Sequence, residues 1–375
     1  MIRVFIVCSG LGNVKRGFES FAQECFDALS QEPELDIILF KGGNKSHPKE
    51  IPLWNLRRAS KQTIQLGKLL KKDAYYIEQA SFVFSLLPYI QRQQPDVIYF
   101  SDGTVGNALW HWRRLTKQRY QLLFSNGAPL SPPFDRSDYV QQVVPKHFQV
   151  AIDAGESAKK QSLLPYGIKL RAELKSLPIS EREALRRKLD LPEERAIILS
   201  VGAINKSHKR MDYLIEEVAK LSKPRPYLLL LGQQEAESSE IIQRGKQLIG
   251  TENFQVRTVA HNQIADYYSV ADIFVLASLG EGLPRVLLEA MSHGLPCLAH
   301  DYETSHFVLG EEGYFANFTQ PGSLERLMTQ ALEEGYNPVK RQQRHRSIYE
   351  RFSWERLRPS YIKMIQHCVS SFQEI

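Results

Sequence analysis

Two glutamates, Glu281 and Glu289, lie eight positions apart in the stretch GEGLPRVLLEAMSHGLP, which covers residues 280–296. Pro284 suits the first turn of a helix, where its missing N–H costs nothing, and the closing Gly-Leu-Pro predicts the end of that helix. Eight residues of helix span about 12 Å. The two carboxylates would then be too far apart to act on one bond, as paired glycosidase carboxylates do. Their spacing instead suits two separate contacts to one extended ligand.

The start of this helix also predicts what that ligand contains. The free N–H groups within residues 283–286, of which Pro284 has none, and the positive end of the helix dipole favour an anion such as a phosphate. A carboxylate accepts hydrogen bonds from paired hydroxyls, such as a ribose diol or the hydroxyls of a sugar ring. Anion, diol and sugar together describe a sugar nucleotide. The alternative is that both glutamates are solvated residues on a helix surface.

The bulk properties of the chain bound its class. Its 375 residues exceed what one hydrophobic core usually supports, which predicts two domains. With 43% hydrophobic and 24% charged residues, it has the composition of an ordinary globular protein. The sequence contains no run of 18 apolar residues, so no membrane span is predicted. We interpret the N-terminal MIRVFIVCSG as a buried strand and not as a signal peptide. Four scattered cysteines without metal-ligand spacing predict a reduced, cytoplasmic protein.

The positive charge is concentrated in the first half of the chain. The net charge is +6, and residues 1–170 hold 22 lysines and arginines against 15 acidic residues. Such an excess indicates an anionic partner, either a membrane surface or nucleic acid. No nucleic-acid reader motif accompanies the charge, so nucleic acid is not expected.

One basic segment, LWNLRRASKQTIQLGKLLKK at residues 53–72, contains six basic residues and no acid. It predicts a basic amphipathic helix that lies on an anionic bilayer surface, which would place the protein at the inner face of the membrane. The alternative is a pair of core-packing helices with solvated outer faces.

Short apolar runs, each followed by a helical pattern, recur along both halves. They are typical of strands buried on both faces of a parallel sheet, and two sets predict two doubly wound α/β domains that join near residue 170. Because ligands bind at the carboxyl ends of such strands, a cleft between the domains is the predicted site. The runs are IRVFIVC, LDIILF, DVIYF, YQLLF and FQVAI in the first half, and AIILSVG, PYLLLLG, FQVRTVA, IFVLAS and PCLAH in the second.

Two loops of the first domain, FSDGTVGN (100–107) and FSNGAPLSP (124–132), follow predicted strands and should line that cleft. Asp102 is the only acid at these two loop starts. It is a candidate catalytic residue that orients an acceptor hydroxyl, and the alternative is that it caps the loop.

Four segments carry a family resemblance. EGLPRVLLEAMSHGLP resembles the Glu-x7-Glu signature of the retaining family 4 glycosyltransferases. HNQIADYYSVADIFVLAS (261–278) resembles the segment before that signature, and SVGAINKSHKRMDYLIEEV (200–218) resembles the phosphate-binding loop and helix. FSWERL (352–357) resembles the C-terminal helix, for which Ser353 is a suitable N-cap. The resemblance covers most of residues 195–360 and, in the first half, little beyond SGLGNVKRGFE.

The resemblance implies a GT-B architecture, which is an α/β fold of two Rossmann-like doubly wound domains with an inter-domain cleft. Residues 1–170, with a C-terminal helix of about 357–375 packing back on them, would form the acceptor side. Residues 171–356 would bind the nucleotide sugar. The family requires no metal ion, and the chain contains no Asp-x-Asp pair of the kind that holds one in the other large glycosyltransferase architecture.

Carried over position by position, the resemblance also implies roles. Glu281 would touch the donor sugar near the reacting centre, Lys209 would neutralise the leaving diphosphate, and Glu289 would bind the ribose hydroxyls. Many relatives carry a histidine where Ser125 or Asn126 stands here, so a catalytic histidine is not expected. The remaining implied donor contacts are Gly12 and Asn13 across the cleft, Gly202 and Arg210 in the phosphate loop, Val256, Arg257 and Thr258 around the base, and Gly282, Leu283, Pro284 and Arg285 facing the sugar and diphosphate.

The phosphate loop departs from the family pattern. The family usually has an arginine directly after the glycine that corresponds to Gly202, and this chain has Ala203. Lys206, His208 or Arg210 would have to supply the missing charge.

The sequence thus predicts a cytoplasmic retaining glycosyltransferase that moves a hexose from a UDP- or GDP-sugar to a hydroxyl acceptor in cell-surface polysaccharide or glycolipid synthesis, with no bound cofactor. Two alternatives stay open, a GT-B-type sugar-nucleotide epimerase and a non-catalytic sugar-nucleotide-binding partner. A nicotinamide oxidoreductase is disfavoured because Lys15 takes the place of the third glycine of a dinucleotide fingerprint, and Lys41 takes the place of the ribose-binding acid.

Overall fold

The structure is a computed structural model that describes residues 1–14, 17–175 and 177–370. The chain forms two compact units. The first contains Met1–Lys169 and the segment from Phe352 onward, and the second contains Leu170–Arg351. Lys15 and the last five residues of the predicted C-terminal helix lie outside the described residues.

Within the described residues, the first unit is built on a seven-stranded parallel sheet in the order β3-β2-β1-β4-β5-β6-β7. Helical crossovers allow parallel pairing, since parallel neighbours cannot be joined by tight turns. The strands are β1 (Ile2–Cys8), β2 (Leu35–Lys41), β3 (Glu50–Pro52), β4 (Val97–Phe100), β5 (Gln121–Asn126), β6 (Tyr139–Gln142) and β7 (Gln161–Leu163). The helices are α1 (Gly17–Leu29), α2 (Lys61–Leu70), α3 (Ala74–Gln93), α4 (Gly103–Thr116), α5 (Pro145–Asp153) and α14 (Trp354–Ser370).

The second unit has a parallel sheet with the order β10-β9-β8-β11-β12-β13 in the part of the chain that the structure describes. Its strands are β8 (Ile197–Val201), β9 (Tyr227–Leu231), β10 (Phe254–Arg257), β11 (Ile273–Leu276), β12 (Cys297–His300) and β13 (Tyr314–Ala316). Its helices are α6 (Ile179–Lys188), α7 (Met211–Lys220), α8 (Ser238–Ile249), α9 (Ile264–Val270), α10 (Arg285–Ser292), α11 (Glu303–Leu309), α12 (Ser323–Glu333) and α13 (Pro338–Phe352). The predicted fold of two Rossmann-like parallel sheets is confirmed.

One predicted strand is wrong. The run FQVAI, residues 148–152, lies inside helix α5, which begins at Pro145. Proline suits a first helical position, and of these five residues Ala151 is buried while Val150 is 45% exposed, so the run faces the core on one side only. Strand β6 occupies the next place in the sheet. Its sequence YVQQ ends in two glutamines and therefore lacks the apolar character used to predict buried strands.

The helix predicted over residues 53–72 is also too long. Only α2 is helical within this segment, and it begins after Ser60, whose hydroxyl accepts a hydrogen bond from the backbone N–H of Thr63 at 3.1 Å. The preceding residues form a connection that is anchored to the core, because Leu53 is buried and Asn55 donates to the carbonyl of Ser9 at 3.0 Å.

The C-terminal helix α14 packs within the first unit. The hydroxyl of Ser353 accepts from the backbone N–H of Arg356 at 3.3 Å, as expected of an N-cap. Tyr361 donates to the carbonyl of Pro165 at 2.8 Å and accepts from the amide of Gln141 at 2.9 Å. Within the described residues, no helix has the length and apolar character that crossing a lipid bilayer requires.

A buried ion pair lies near the far end of α10 in the second unit. Arg344 donates two hydrogen bonds of 2.7 Å to Glu334, and both side chains are at most 4% exposed. Arg341, one turn before Arg344, donates to the carbonyl of His293 at 2.7 Å, directly after α10. Burial alone would raise the pKa of Glu334, but hydrogen bonds from Arg344, Lys340 and Tyr314 outweigh it and lower the pKa to about 2.

We expect Glu334→Gln to lower the free energy of unfolding by about 3 kcal/mol at pH 7, because it removes the carboxylate that is hydrogen-bonded to the buried guanidinium of Arg344. The folded-state pKa lies below the ordinary value of 4.5. The stabilisation is therefore present at neutral pH and is lost as the pH falls from about 5 to about 2. Urea unfolding at several pH values measures both effects. The exposed neighbour provides the control Glu333→Gln, and equal stability of the two variants would contradict this account.

Candidate functional site

The candidate site of the second unit lies between β8 and β11, where the order in which the chain adds strands to the sheet reverses. Strand β8 pairs with β9 on one side and with β11 on the other, while the chain runs outward to β10 before it returns to β11. The loops after β8 and β11 therefore diverge from a topological switch point, where open α/β sheets bind ligands. Lys209 lies in the loop after β8, and Glu281 lies in the loop after β11.

These two predicted catalytic residues form an ion pair. Lys209 Nζ contacts Glu281 Oε1, and the side chains are only 15% and 11% exposed. The imidazole of His208 lies beside them, with Nε2 at 3.6 Å from Glu281 Oε2. Burial and the charge of Glu281 raise the pKa of the Tyr302 hydroxyl, which follows β12, to about 12. The site thus combines one cation and one carboxylate at the edge of a sheet.

Gly202 makes room for the lysine, and Gly232 makes room for Gly202. The stem of Lys209 lies against Gly202, where an added Cβ would meet Lys209 side-chain carbons at 3.1–3.2 Å. Gly202 in turn touches Gly232, where a Cβ would lie 1.7 Å from the carbonyl oxygen of Gly202. The hydroxyl of Thr258, a predicted base contact, donates to the carbonyl of Gly232 at 2.7 Å. Gly202, Lys209 and Thr258 are thus joined through the ends of β8, β9 and β10.

Asn205 shapes the loop that carries Lys209, and sequence reasoning missed it. Its side-chain oxygen accepts from the backbone N–H groups of Lys209 at 2.8 Å and of His208 at 3.2 Å. Its amide donates to Glu235 at 2.9 Å. Asparagine side chains that bond to neighbouring backbone stabilise turns of this kind. Its place between Gly202 and the basic run was the available signal.

Three residues were predicted to replace the missing arginine, and the structure separates them. Arg210 stacks over the Tyr213 ring at 4.1 Å and donates to the carbonyl of Phe318 at 3.2 Å. Lys206 forms an ion pair with the exposed Glu240. Arg210 and Lys206 are therefore directed toward other partners, and His208 is the one of the three that lies beside Glu281.

The loop of Glu281 leads into α10. Pro284 takes the N-cap position and Arg285 begins the helix, so the proline lies one position earlier than the predicted first turn. Gly282 and Leu283 form the bend before it and are half-buried. The backbone N–H groups at the start of α10 have no preceding turn to bond to, and they form a positive end that follows Glu281 closely in the chain.

Glu289 is held by a partner that sequence reasoning missed. Its carboxylate accepts from the hydroxyl of Tyr268 at 3.2 Å. Burial, together with the charge of Glu289, raises the pKa of Tyr268 well above its ordinary value, so the tyrosine stays a donor. The two glutamates of the motif are thus oriented by different groups, Glu281 by Lys209 and Glu289 by Tyr268. Tyr268 belongs to the segment 261–278 that carries the family resemblance, but the spacing of that segment does not reveal its contact with Glu289.

The strand β10 contains the other predicted base contacts. Val256 packs partly buried against the core of the second unit. The guanidinium of Arg257 donates to the carbonyl of Asp190 at 2.9 Å and to the side chain of Gln255 at 2.8 Å. Its side chain therefore binds the connection after α6. Near β11, the hydroxyl of Ser278 is buried and has no hydrogen-bond partner among the described residues. A buried hydroxyl of this kind usually has a partner, and a ligand is one candidate.

The first unit places Asp102 at its own switch point, between β1 and β4. Asp102 precedes α4, but its carboxylate makes no capping hydrogen bond, so the capping alternative is wrong. The carboxylate instead accepts from the hydroxyls of Tyr75 and, at 3.4 Å, of Ser9. Burial raises the pKa of Asp102 despite the hydrogen bond from Tyr75 and the positive charge of Arg58.

The Gly12 turn packs against the loop after β2. Gly12 has a φ of +88°, and a Cβ there would lie 2.7 Å from the Cα of Gly43. The amide of Asn13 donates to the carbonyl of Gly42 at 2.9 Å. These contacts give Gly12 and Asn13 a structural role, whereas their predicted contact with a diphosphate stays a prediction. Lys41, at the end of β2, is buried in an ion pair of 2.9 Å with Glu50.

An open cavity of about 480 Å³ adjoins this loop in the first unit. One large aromatic side chain and several amides and hydroxyls line it. Its lining residues include Gly43, Asn44, Trp54, Asn55, Arg57 and Gln62.

Comparison with known proteins agrees with this geometry. Residues 181–351 match the family described as glycosyl transferases group 1. A putative teichuronic acid biosynthesis glycosyltransferase, TuaC of Bacillus subtilis, is 31% identical over 39% of this chain and 36% of its own length. A lipopolysaccharide core biosynthesis glycosyltransferase, LpsE of Rhizobium meliloti, is 26% identical over 48% of this chain and 52% of its own. The chain thus spans about a third to a half of the length of these relatives.

Solved structures resemble the whole chain. Sucrose-phosphate synthase from Thermosynechococcus elongatus has a TM-score of 0.77 at 17% identity and covers 99% of this chain, with 100% of its own chain covered. Anabaena HepE, solved with UDP and glucose, has a TM-score of 0.72 at 14% identity, and all of both chains is covered. The chain therefore has the two-domain fold of GT-B glycosyltransferases, and its residues 181–351 match the group 1 family of these enzymes.

Proposed function

We propose that this chain is a cytoplasmic retaining glycosyltransferase that moves a hexose from a UDP- or GDP-linked sugar to a hydroxyl acceptor. The observation that carries the proposal is the Lys209–Glu281 ion pair, which lies at the switch point of the unit that matches the group 1 family. The names of TuaC and LpsE support a place in cell-surface polysaccharide or glycolipid synthesis.

The ion pair gives Lys209 a partner that a diphosphate can replace. Without donor, Glu281 neutralises the lysine, which is only 15% exposed. A diphosphate at the start of α10 would draw the ammonium to its oxygens, because the helix end already favours an anion there. Glu281 would then be free to accept hydrogen bonds from the donor sugar. The proposal assigns charge neutralisation to Lys209 and the helix start, without a metal ion or a bound cofactor.

Retention follows from where the acceptor attacks. The acceptor oxygen would bond to the anomeric carbon on the face from which the diphosphate leaves. The bond between the anomeric carbon and the diphosphate oxygen breaks, and this departing oxygen takes the proton of the acceptor hydroxyl. This step needs no strong protein base. In support, Ser125 and Asn126, which occupy the loop where many relatives have a histidine, are buried and hydrogen-bonded to Gln141 and Gln142.

The donor class is supported by the solved structures. Anabaena HepE was solved with UDP-glucose, and the starch synthase IV catalytic domain from Arabidopsis thaliana was solved with ADP and acarbose. We infer that this chain also binds a nucleoside diphosphate sugar, with Glu289 on the ribose and the end of β10 beside the base.

On the acceptor side, we assign Asp102 to the acceptor hydroxyl. Its carboxyl lies at the switch point of the first unit, where burial raises its pKa and the hydroxyls of Ser9 and Tyr75 contact it. The cavity next to Trp54 is the accompanying candidate for a saccharide acceptor, since an aromatic face and planar amides suit the apolar face and the hydroxyls of a sugar ring.

A second candidate is a non-catalytic sugar-nucleotide-binding partner, which Ala203 favours because the usual arginine is missing. A sugar-nucleotide epimerase is the other alternative from the same fold. Product analysis with donor alone separates the three: an epimerase changes the sugar, a transferase requires an acceptor, and a binding partner does neither.

We expect a UDP- or GDP-sugar to raise the Tm of the chain by about 3 °C at roughly 100 times its Kd, because ligand binding to the folded state adds about 2.7 kcal/mol and unfolding of a chain of this length has an entropy of about 0.8 kcal/mol/K. Differential scanning fluorimetry against UDP-, GDP- and ADP-sugars measures this shift. Free glucose and NAD are the controls and should have no effect. A shift with NAD and none with any sugar nucleotide would overturn the proposed donor class.

We expect Lys209→Met to reduce kcat about 100- to 1,000-fold, because it removes the cation that stabilises the leaving diphosphate. The matched control is Lys206→Met in the same loop, whose ammonium pairs with an exposed glutamate and should change kcat less than about twofold. Steady-state release of nucleoside diphosphate measures both. If the two variants lose activity equally, the loss reflects loop charge, and the role given to Lys209 is wrong.

We expect Asp102→Asn to reduce transfer to the acceptor while slow hydrolysis of the donor by water is retained, because the substitution changes only the acceptor side. Separate measurement of transferred and free sugar distinguishes these outcomes. Asp135→Asn, at an exposed position of the same unit, is the control. Parallel loss of transfer and hydrolysis would show that Asp102 acts on the donor or on folding.

A further inference from the structure

We propose that the first unit docks on an anionic lipid surface through a basic and apolar face around α2. We define this α2 face by Lys61, Lys68 and Leu69 on the helix and by Lys71 and Lys72 directly after it. This inference does not rest on the proposed glycosyl transfer, and each can fail without the other.

The helix α2 presents its charge outward. Thr63 and Gly67 are its buried residues, and a Cβ on Gly67 would lie 2.6 Å from the carbonyl oxygen of Lys72, so this side is closely packed. At 100° per residue, Lys61, Lys68 and Leu69 lie on the opposite side. A helix whose small residues pack inward and whose lysines face out suits a surface position.

The charge of this segment is one-sided. Of its six basic residues, Arg58 turns inward and donates to the buried Glu78 at 2.6 Å. The others, Arg57, Lys61, Lys68, Lys71 and Lys72, are exposed, and among the described residues none forms an ion pair. The next acid in the chain, Asp73, is engaged in capping α3, since it accepts from the backbone N–H of Tyr76 at 2.6 Å. The face therefore has an uncompensated positive charge.

Large apolar side chains are also exposed in this segment and on α3. Leu69 is 79% exposed, Phe84 is 75% exposed and Leu70 is 53% exposed. Ile64 is 42% exposed and Trp54 is 64% exposed, and the carbonyl of Trp54 accepts from the hydroxyl of Ser85, the residue after Phe84 on α3. Single exposed apolar residues are common, but a concentration of them in one short stretch of chain marks an interaction surface.

The combination selects lipid over nucleic acid. Nucleic acid would use the basic residues and stack bases on aromatic rings, and it would leave aliphatic side chains such as Leu69, Leu70 and Ile64 in water. An anionic bilayer accepts both sets, because lysines bind the headgroups while the aliphatic side chains of α2 enter the boundary of the acyl chains. Charge complementarity and apolar exposure together therefore point to an anionic membrane surface.

Vesicle co-sedimentation of the full chain tests the proposal. We expect binding to phosphatidylcholine vesicles that contain about one third phosphatidylglycerol to exceed binding to pure phosphatidylcholine at least about tenfold, and to weaken as salt is raised. Lys61→Glu/Lys68→Glu should abolish the excess. Leu69→Ser, which leaves the charge unchanged, should reduce binding several-fold because it removes the inserted apolar group.

Lys159→Glu/Lys363→Glu is the matched control, since it makes the same change of net charge at exposed sites elsewhere in the first unit. It should leave vesicle binding within about twofold of the wild-type chain. Equal loss of vesicle binding in both double variants would show that net charge alone drives binding. Unchanged vesicle binding by Leu69→Ser would show that no apolar contact is made. Either result overturns the proposal. Binding of single-stranded RNA that Lys61→Glu/Lys68→Glu abolishes, with no binding to anionic vesicles, would assign the face to nucleic acid. Thermal unfolding of each variant checks that it folds.

Discussion

The candidate site depends on one contact, the ion pair between Lys209 and Glu281, which are 72 positions apart in sequence. The sheet brings them together because β8 and β11 are neighbours at the switch point. The pair also constrains the backbone around it. The stem of the lysine lies against Gly202, and Gly202 needs a glycine at position 232 beside it. Two glycines that directly follow the neighbouring strands β8 and β9 thus help to set the position of a charge.

The two units apply the same geometry to different chemistry. Each has its candidate groups where the strand order reverses, Ser9 and Asp102 in the first unit and Lys209 and Glu281 in the second. In the second unit a cation and a carboxylate balance each other, which suits an anionic ligand that can displace the carboxylate. In the first unit, burial raises the pKa of Asp102, which suits a neutral hydroxyl partner better than a charged one. This difference in charge supports the donor and acceptor assignments that we propose.

Much of this arrangement could be predicted from the sequence, because its signals are local. Long apolar runs predicted most strands, and the spacing of Glu281 and Glu289 placed both residues around one helix start. The failures arise where tertiary contacts decide. FQVAI has the apolar character of a strand, yet Pro145 starts a helix through it, and YVQQ becomes a buried strand because neighbouring polar groups satisfy its glutamines. The contact of Tyr268 with Glu289 and the inward direction of Arg210 join separate segments, which no spacing rule reveals. Asn205 makes local contacts with the backbone of the loop, and these were missed although its position gave a signal.

The most direct test of the central claim is a crystal structure of the chain with a nucleoside diphosphate sugar bound. The account predicts that the diphosphate lies at the start of α10, that Lys209 Nζ has left Glu281 for a phosphate oxygen, and that Glu281 accepts hydrogen bonds from the sugar. A diphosphate bound away from α10, with the Lys209–Glu281 pair still closed, would contradict it.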